Sequence, residues 1–138
     1  MTDTSEAIVD RARFTQAKGE LGVNFARILG YFREDGEKAI AQIEDAMQRE
    51  SAAALVRPAH TLKGEALQFG AEPLGLAAET IEKAARNAVE RHDFPHHMAM
   101  EVARLRPLFA RSLAYFDGEL AAVAPPPRRV VGFGRKAG

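Results

Sequence analysis

The sequence predicts an all-α fold: an antiparallel up-down four-helix bundle, with a short extra helix before it and an extended tail after it. Apolar residues recur at three- and four-residue steps through four long stretches. Glycine, proline and capping residues fall between these stretches and mark where helices stop and start. The chain has 138 residues and is 46% hydrophobic, enough for one domain to bury its own core. The bundle is expected to span residues 1–124 and the tail residues 125–138.

Residues 1–5 are polar, and residues 6–18 carry Ile8, Val9, Ala12 and Phe14. This predicts a short leading helix that stops at Lys18-Gly19. The first long helix runs from Leu21 or Asn24 to Arg49. Its stripe is Phe25, Leu29, Phe32, Gly36, Ala39/Ile40, Ile43 and Met47. Charged residues such as Arg33, Glu34, Glu37, Lys38 and Glu44 lie off that stripe, on a solvated face. Ser51 is the N-cap expected for the second helix, residues 52–69, whose stripe is Leu55, Ala59, Leu62, Ala66 and Phe69.

Pro58 interrupts the second helix. It removes a backbone donor and disfavours helix at Arg57. Either the helix bends there, or a short turn leads into a helix that starts near Pro58. Gly70 supplies a left-handed stop. Glu72-Pro73 opens the third helix, which ends near Arg91. Its stripe of Leu74, Ala77/Ala78, Ile81, Ala84/Ala85 and Ala88 is rich in alanine, so a neighbouring helix can pack close.

In the next connection Asp93 can cap, and Pro95 can start, the fourth helix. That helix reads Met98, Val102, Leu105, Phe109, Leu113, Phe116 and Leu120. Pro107 falls inside it and predicts a kink, with the carbonyl of Ala103 left unbonded. From Pro125 there is no period. Three prolines favour an extended segment, and the remainder is basic.

Composition narrows the function. Nineteen basic and 19 acidic side chains leave no net charge, so no overall positive field holds nucleic acid. There is no cysteine, hence no disulfide, thiol nucleophile or cysteine metal site. The N-terminus is polar and acidic, unlike a secretory signal, and no apolar run is long enough to span a bilayer. Cytoplasm is the expected location. His92, His96, His97 and Asp93 invite a metal reading, but Pro95 breaks the helical spacing that would align them, and no second ligand pair appears. No metal site is expected. Gly132-Phe-Gly-Arg-Lys lacks the phosphate-loop pattern, so the chain has no nucleotide-binding signature.

The chemistry gathers on the second helix. His60 lies off the apolar stripe, and Lys63, Gly64 and Leu67 follow it by three, four and seven residues, so the four share one face. An imidazole, an ammonium and a bare glycine backbone thus point out of the core together. Glycine inside a helix costs about 1 kcal/mol relative to alanine. Beside an exposed histidine it leaves room for something large to approach. Neutral imidazole is nucleophilic, and histidine ordinarily titrates near pH 6.5. Leu67 is apolar yet faces outward, which makes it a docking residue, and Gln68, two turns from His60, is the second residue expected to touch a partner.

At these residues the chain resembles histidine-containing phosphotransfer (HPt) domains, whose pattern is A-H-x-L-K-G, then G-A, then a helix ending L-E. Ala59, His60, Leu62, Lys63, Gly64, Gly70, Ala71, Leu74 and Glu82 match, with Ile81 in place of leucine. The helical pattern extends the resemblance over most of positions 20 to 120. The resemblance implies that His60 takes a phosphoryl group, Lys63 steadies it and Gly64 clears space. It implies exchange with the aspartate of response-regulator receiver domains, which supply Mg²⁺, in a relay fed by a sensor or hybrid histidine kinase. On this account the chain is a phosphocarrier and not an enzyme, and it binds no cofactor itself. Glu65 departs from the small residue usual after the glycine. By helical geometry it lies about 140° from His60 and is expected at the bundle edge.

Two other readings compete. One is a helical interaction module that binds a receiver or kinase without carrying phosphate. The other is the dimerising hairpin of a histidine kinase, but Thr61 follows the histidine where an acidic residue is usual, and no ATP-binding domain is present. Four stripes complete a bundle within one chain, so a monomer is expected.

Overall fold

The computed structural model describes residues 7–123. The expected tail, residues 125–138, and the expected boundary at 124 lie outside them, as do residues 1–5. Among the described residues there are five α-helices and no strand. They are α1 (Arg11–Leu21), α2 (Phe25–Gln48), α3 (Ala52–Gln68), α4 (Glu72–Glu90) and α5 (Ala99–Val123). Short 3₁₀ turns, Gly22–Asn24 and His96–Met98, lead into α2 and α5. The last four helices form the bundle: α2 packs on α3, α3 on α4, α4 on α5 and α5 on α2.

Local chemistry accounts for most helix ends. The side chain of Ser51 accepts a hydrogen bond from the Ala54 amide at 3.2 Å and caps α3. Pro73 lies in the first turn of α4, where its missing amide hydrogen is harmless. Gly70 closes α3 with φ of 82°, and a side chain there would meet the Asp10 carbonyl oxygen at 2.6 Å. The Asp10 amide donates to the Gly70 carbonyl at 2.7 Å, which ties the chain ahead of α1 to the end of α3.

Two expectations about elements need correction, and one alternative is decided. The leading helix does not stop at Lys18-Gly19. Asp10 caps it, it continues through Gly19, and it ends at Gly22, where φ is 57°. Gly19 keeps ordinary helical backbone, whereas Gly22 takes the left-handed turn. At α5, Asp93 accepts from the Phe94 amide and not from the first turn of the helix. The 3₁₀ turn His96–Met98 leads into α5 after Pro95. Of the two alternatives at Pro58, the later start is excluded, since the helix runs from Ala52 past a buried Pro58 over nearly the expected span. Pro107, by contrast, is exposed within α5, so water can reach the carbonyl it leaves without a donor.

The core is aromatic toward the α1 end. Phe14 lies 5.4 Å from Phe116 and 5.3 Å from Phe25, centroid to centroid, and Phe32 lies 5.7 Å from Phe69. The phenyl ring of Phe109 covers Gly36, where a Cβ would be 2.5 Å from the ring. Between α3 and α4 the core thins to alanine, with Ala59, Ala66, Ala77, Ala78 and Ala85 all buried. The small side chains let these two helices approach closely, and His60 stands at that seam.

Candidate functional site

His60 stands on α3 with its side chain 60% exposed, while Glu82 of α4 faces it with only 6% exposed. Glu82 falls on the alanine stripe, four residues after Ala78 and three before Ala85, so helical periodicity carries its carboxylate inward. It does not remain unpartnered. His60 Nδ1 lies 2.9 Å from Glu82 Oε2, and Lys63 Nζ lies 3.0 Å from Oε1. One turn along α4, Arg86 donates through Nε and Nη2 to Oε2 at 2.9 and 2.7 Å.

Electrostatics decide the state of this cluster. Burial pushes the Glu82 carboxyl toward its neutral form. The hydrogen bonds from Lys63, Arg86 and His60 outweigh burial and bring its pKa down to about 2. At neutral pH the carboxylate is therefore ionised and can only accept hydrogen bonds. The short contact to His60 then requires the hydrogen to sit on Nδ1. The lone pair of the neutral ring is left on Nε2.

The structure brings His60 and Lys63 together as their shared face requires, but the Lys63 ammonium is turned to Glu82. Gly64 is exposed, and a Cβ there would meet nothing within 4 Å. The glycine is not required by packing among the described residues. Leu67 is not freely exposed: it is half-buried, and its side chain rests in the notch left by Gly75 of α4. Gln68 is exposed and lines a groove between α2 and α3. Glu65 turns into the same groove, away from His60.

Sequence reasoning noted Glu82 only as part of a pattern and passed over Arg86. A carboxylate at a stripe position, with an arginine four residues on, was the available signal. The histidines of the α4–α5 connection are not gathered as ligands. His96 lies 3.5 Å from Glu50, and among the described residues no group of three or more His, Cys, Asp or Glu could hold a metal ion. No helix among the described residues is long and apolar enough to cross a membrane.

Residues 27–122 match the family model described as the Hpt domain. The crystal structure of histidine-containing phosphotransfer protein B (HptB) from Pseudomonas aeruginosa PAO1 aligns with a TM-score of 0.76. The alignment covers 87% of this chain and 100% of that one, at 21% sequence identity. At that identity the likeness shows a common fold. No match was found among curated proteins.

Proposed function

This chain belongs to the Hpt domain family, and from that premise we propose that it is a phosphorelay intermediate. It takes a phosphoryl group on His60 and exchanges it with the aspartate of response-regulator receiver domains. The observation that carries this reading is the exposed His60 ring, held through Nδ1 by an ionised Glu82 so that Nε2 is free.

The chemistry follows from that geometry. Nε2 attacks the phosphorus of the receiver's aspartyl phosphate, and the N–P bond forms as the P–O bond to the aspartate breaks. The aspartate carboxylate leaves with the electron pair. No proton moves, because Nδ1 keeps its hydrogen and Nε2 had none. The ring thereby gains positive charge, and Glu82 lies 2.9 Å away to stabilise it. The reverse transfer retraces the same path.

Lys63 orients Glu82 from one side. An ammonium has three donors, so those not engaged by Glu82 are free for phosphoryl oxygens. Arg86 holds Glu82 from the other side. Gly64 leaves the approach to Nε2 open, and the partner supplies Mg²⁺ with its own carboxylates. A sensor or hybrid kinase feeds the relay, and the chain acts as a monomer in the cytoplasm.

Phosphotransfer from a panel of phosphorylated receiver domains, with wild type and His60→Gln side by side, tests this reading. The expected result is label on wild type alone, labile in acid and stable in base. Binding to a receiver without any label on His60 would replace the relay with a non-phosphorylated interaction module.

A further inference from the structure

Glu65 has no part in the phosphoryl chemistry, yet it is not an ordinary solvated carboxylate. Among the described residues its Oε1 is shut off from solvent and has no hydrogen-bond partner. Burial is the main reason its carboxyl pKa is raised, and the charge of Asp35 adds to it. Among the described residues neither Glu65 nor Asp35 forms an ion pair. Lys38 and Arg57 line the adjoining stretch of groove and pair with neither. A half-buried carboxylate without a cation is an unfavourable arrangement in the free protein.

The groove that holds it contains about 190 Å³ and lies between α2 and α3. Its apolar walls are Ile28, Tyr31 and Phe32 of α2 and Phe69, which follows the last residue of α3. That volume falls below the roughly 300 Å³ at which small-ligand sites begin. Two carboxylates also offer too few oxygens for a bare divalent ion, which takes six or more. A lysine or arginine side chain meets both demands. Its hydrocarbon stem lies along apolar walls while its charged head reaches the carboxylates.

The groove is also in the right place. Glu65 is five residues beyond His60, about 7.5 Å along the helix axis and about 140° around it. A standard interface buries about 800 Å² on each partner, a patch roughly 16 Å in radius. The adjoining stretch of groove reaches Thr61, next to His60, so a receiver docked over His60 meets the α2–α3 groove at the margin of such a patch. We propose that the α2–α3 groove at Glu65 and Asp35 is a specificity socket, which receives a lysine or arginine side chain from the docked receiver domain. The proposal rests on the relay reading above for the identity of the partner. The charge that is unpaired in the free protein becomes paired in the complex, so receivers with no basic residue opposite the socket are discriminated against.

The test uses purified receiver domains from the organism that encodes this chain. Dissociation constants are measured for wild type, Glu65→Gln, Asp35→Asn and His60→Gln, with phosphotransfer and thermal melting in parallel. For receivers that bind wild type, Glu65→Gln is expected to raise Kd about tenfold without lowering the melting temperature. Asp35→Asn is expected to raise it less. A receiver whose basic residue is changed to glutamate should regain binding to Glu65→Lys. Unchanged or tighter binding by Glu65→Gln would overturn the socket, and so would weaker binding accompanied by a lower melting temperature. The two readings fail separately. Label on His60 with Glu65→Gln binding normally sinks the socket alone. Glu65-dependent binding without label sinks the relay alone. Absence of binding to every receiver removes both.

Discussion

One carboxylate, that of Glu82, organises the polar cluster between α3 and α4. Three side chains from two helices converge on it, and they hold its pKa at about 2 against the opposing effect of burial. The sign of its effect on stability follows. Its ordinary pKa is 4.5 and the folded value is lower, so its contribution is full above about pH 4.5 and is lost as pH falls toward 2. At neutral pH that contribution is up to about 3 kcal/mol. Urea melts of wild type and Glu82→Gln should therefore differ at pH 7 by about 2 to 3 kcal/mol, and the gap should narrow steadily at pH 4 and pH 3. A gap independent of pH would mean that Glu82 acts through packing alone. In phosphotransfer the same variant should be slower by at least about tenfold, equivalent to 1.36 kcal/mol, because the cationic ring loses its counter-charge.

Helix α3 shows how one element carries conflicting demands. Pro58 lacks the amide that would bond the Ala54 carbonyl, yet the helix continues because the ring is buried and held by its neighbours. Gly70 is required twice over, by a left-handed φ and by the Asp10 backbone against it. Gly64 is required by neither, since it has ordinary helical backbone and open space beside it. Replacing it with glutamine should raise the stability of the free protein by roughly 0.5 kcal/mol, through helix propensity. It should also weaken receiver binding and slow labelling of His60. Denaturation and transfer measured on the same preparation check this, and a variant that transfers as fast as wild type would remove the clearance role.

For the molecule as a whole, α1 belongs to the core although it lies outside the residues that match the family model. Phe14 is 2% exposed and packs on Phe25, Tyr115 and Phe116. Arg11 donates to Tyr115 at 2.8 Å and pairs with Glu119 at 3.0 Å, which ties α1 to α5. Phe14→Ala should destabilise the whole domain by about 3 to 5 kcal/mol, in a single cooperative transition. Loss of only a local signal from α1, with the remaining helices melting as before, would show instead that the helix is an appendage. Arg106 fastens α5 to α2 through Glu37 and Glu44. That pair is exposed, so it contributes to alignment more than to stability.

The helices, their apolar faces and the outward position of His60 were legible in the chain because they depend on neighbours in sequence. A stripe at Leu55, Ala59, Leu62 and Ala66 declares a buried face, and His60 on the opposite face follows from a 3.6-residue turn. Serine at 51 and glycine at 70 announce helix ends through bonds made within a few residues. What the tertiary structure decided were contacts between helices. His60 meets Glu82 from 22 residues away, Lys63 turns to that carboxylate, and Glu65 shares a groove with Asp35 of another helix. Periodicity states which side of a helix a residue occupies, but not which residue of the next helix stands opposite at the same height. That height is set by how side chains of different size interlock between α2, α3 and α4. The partners of His60, Lys63 and Glu65 therefore emerge only when the bundle is packed.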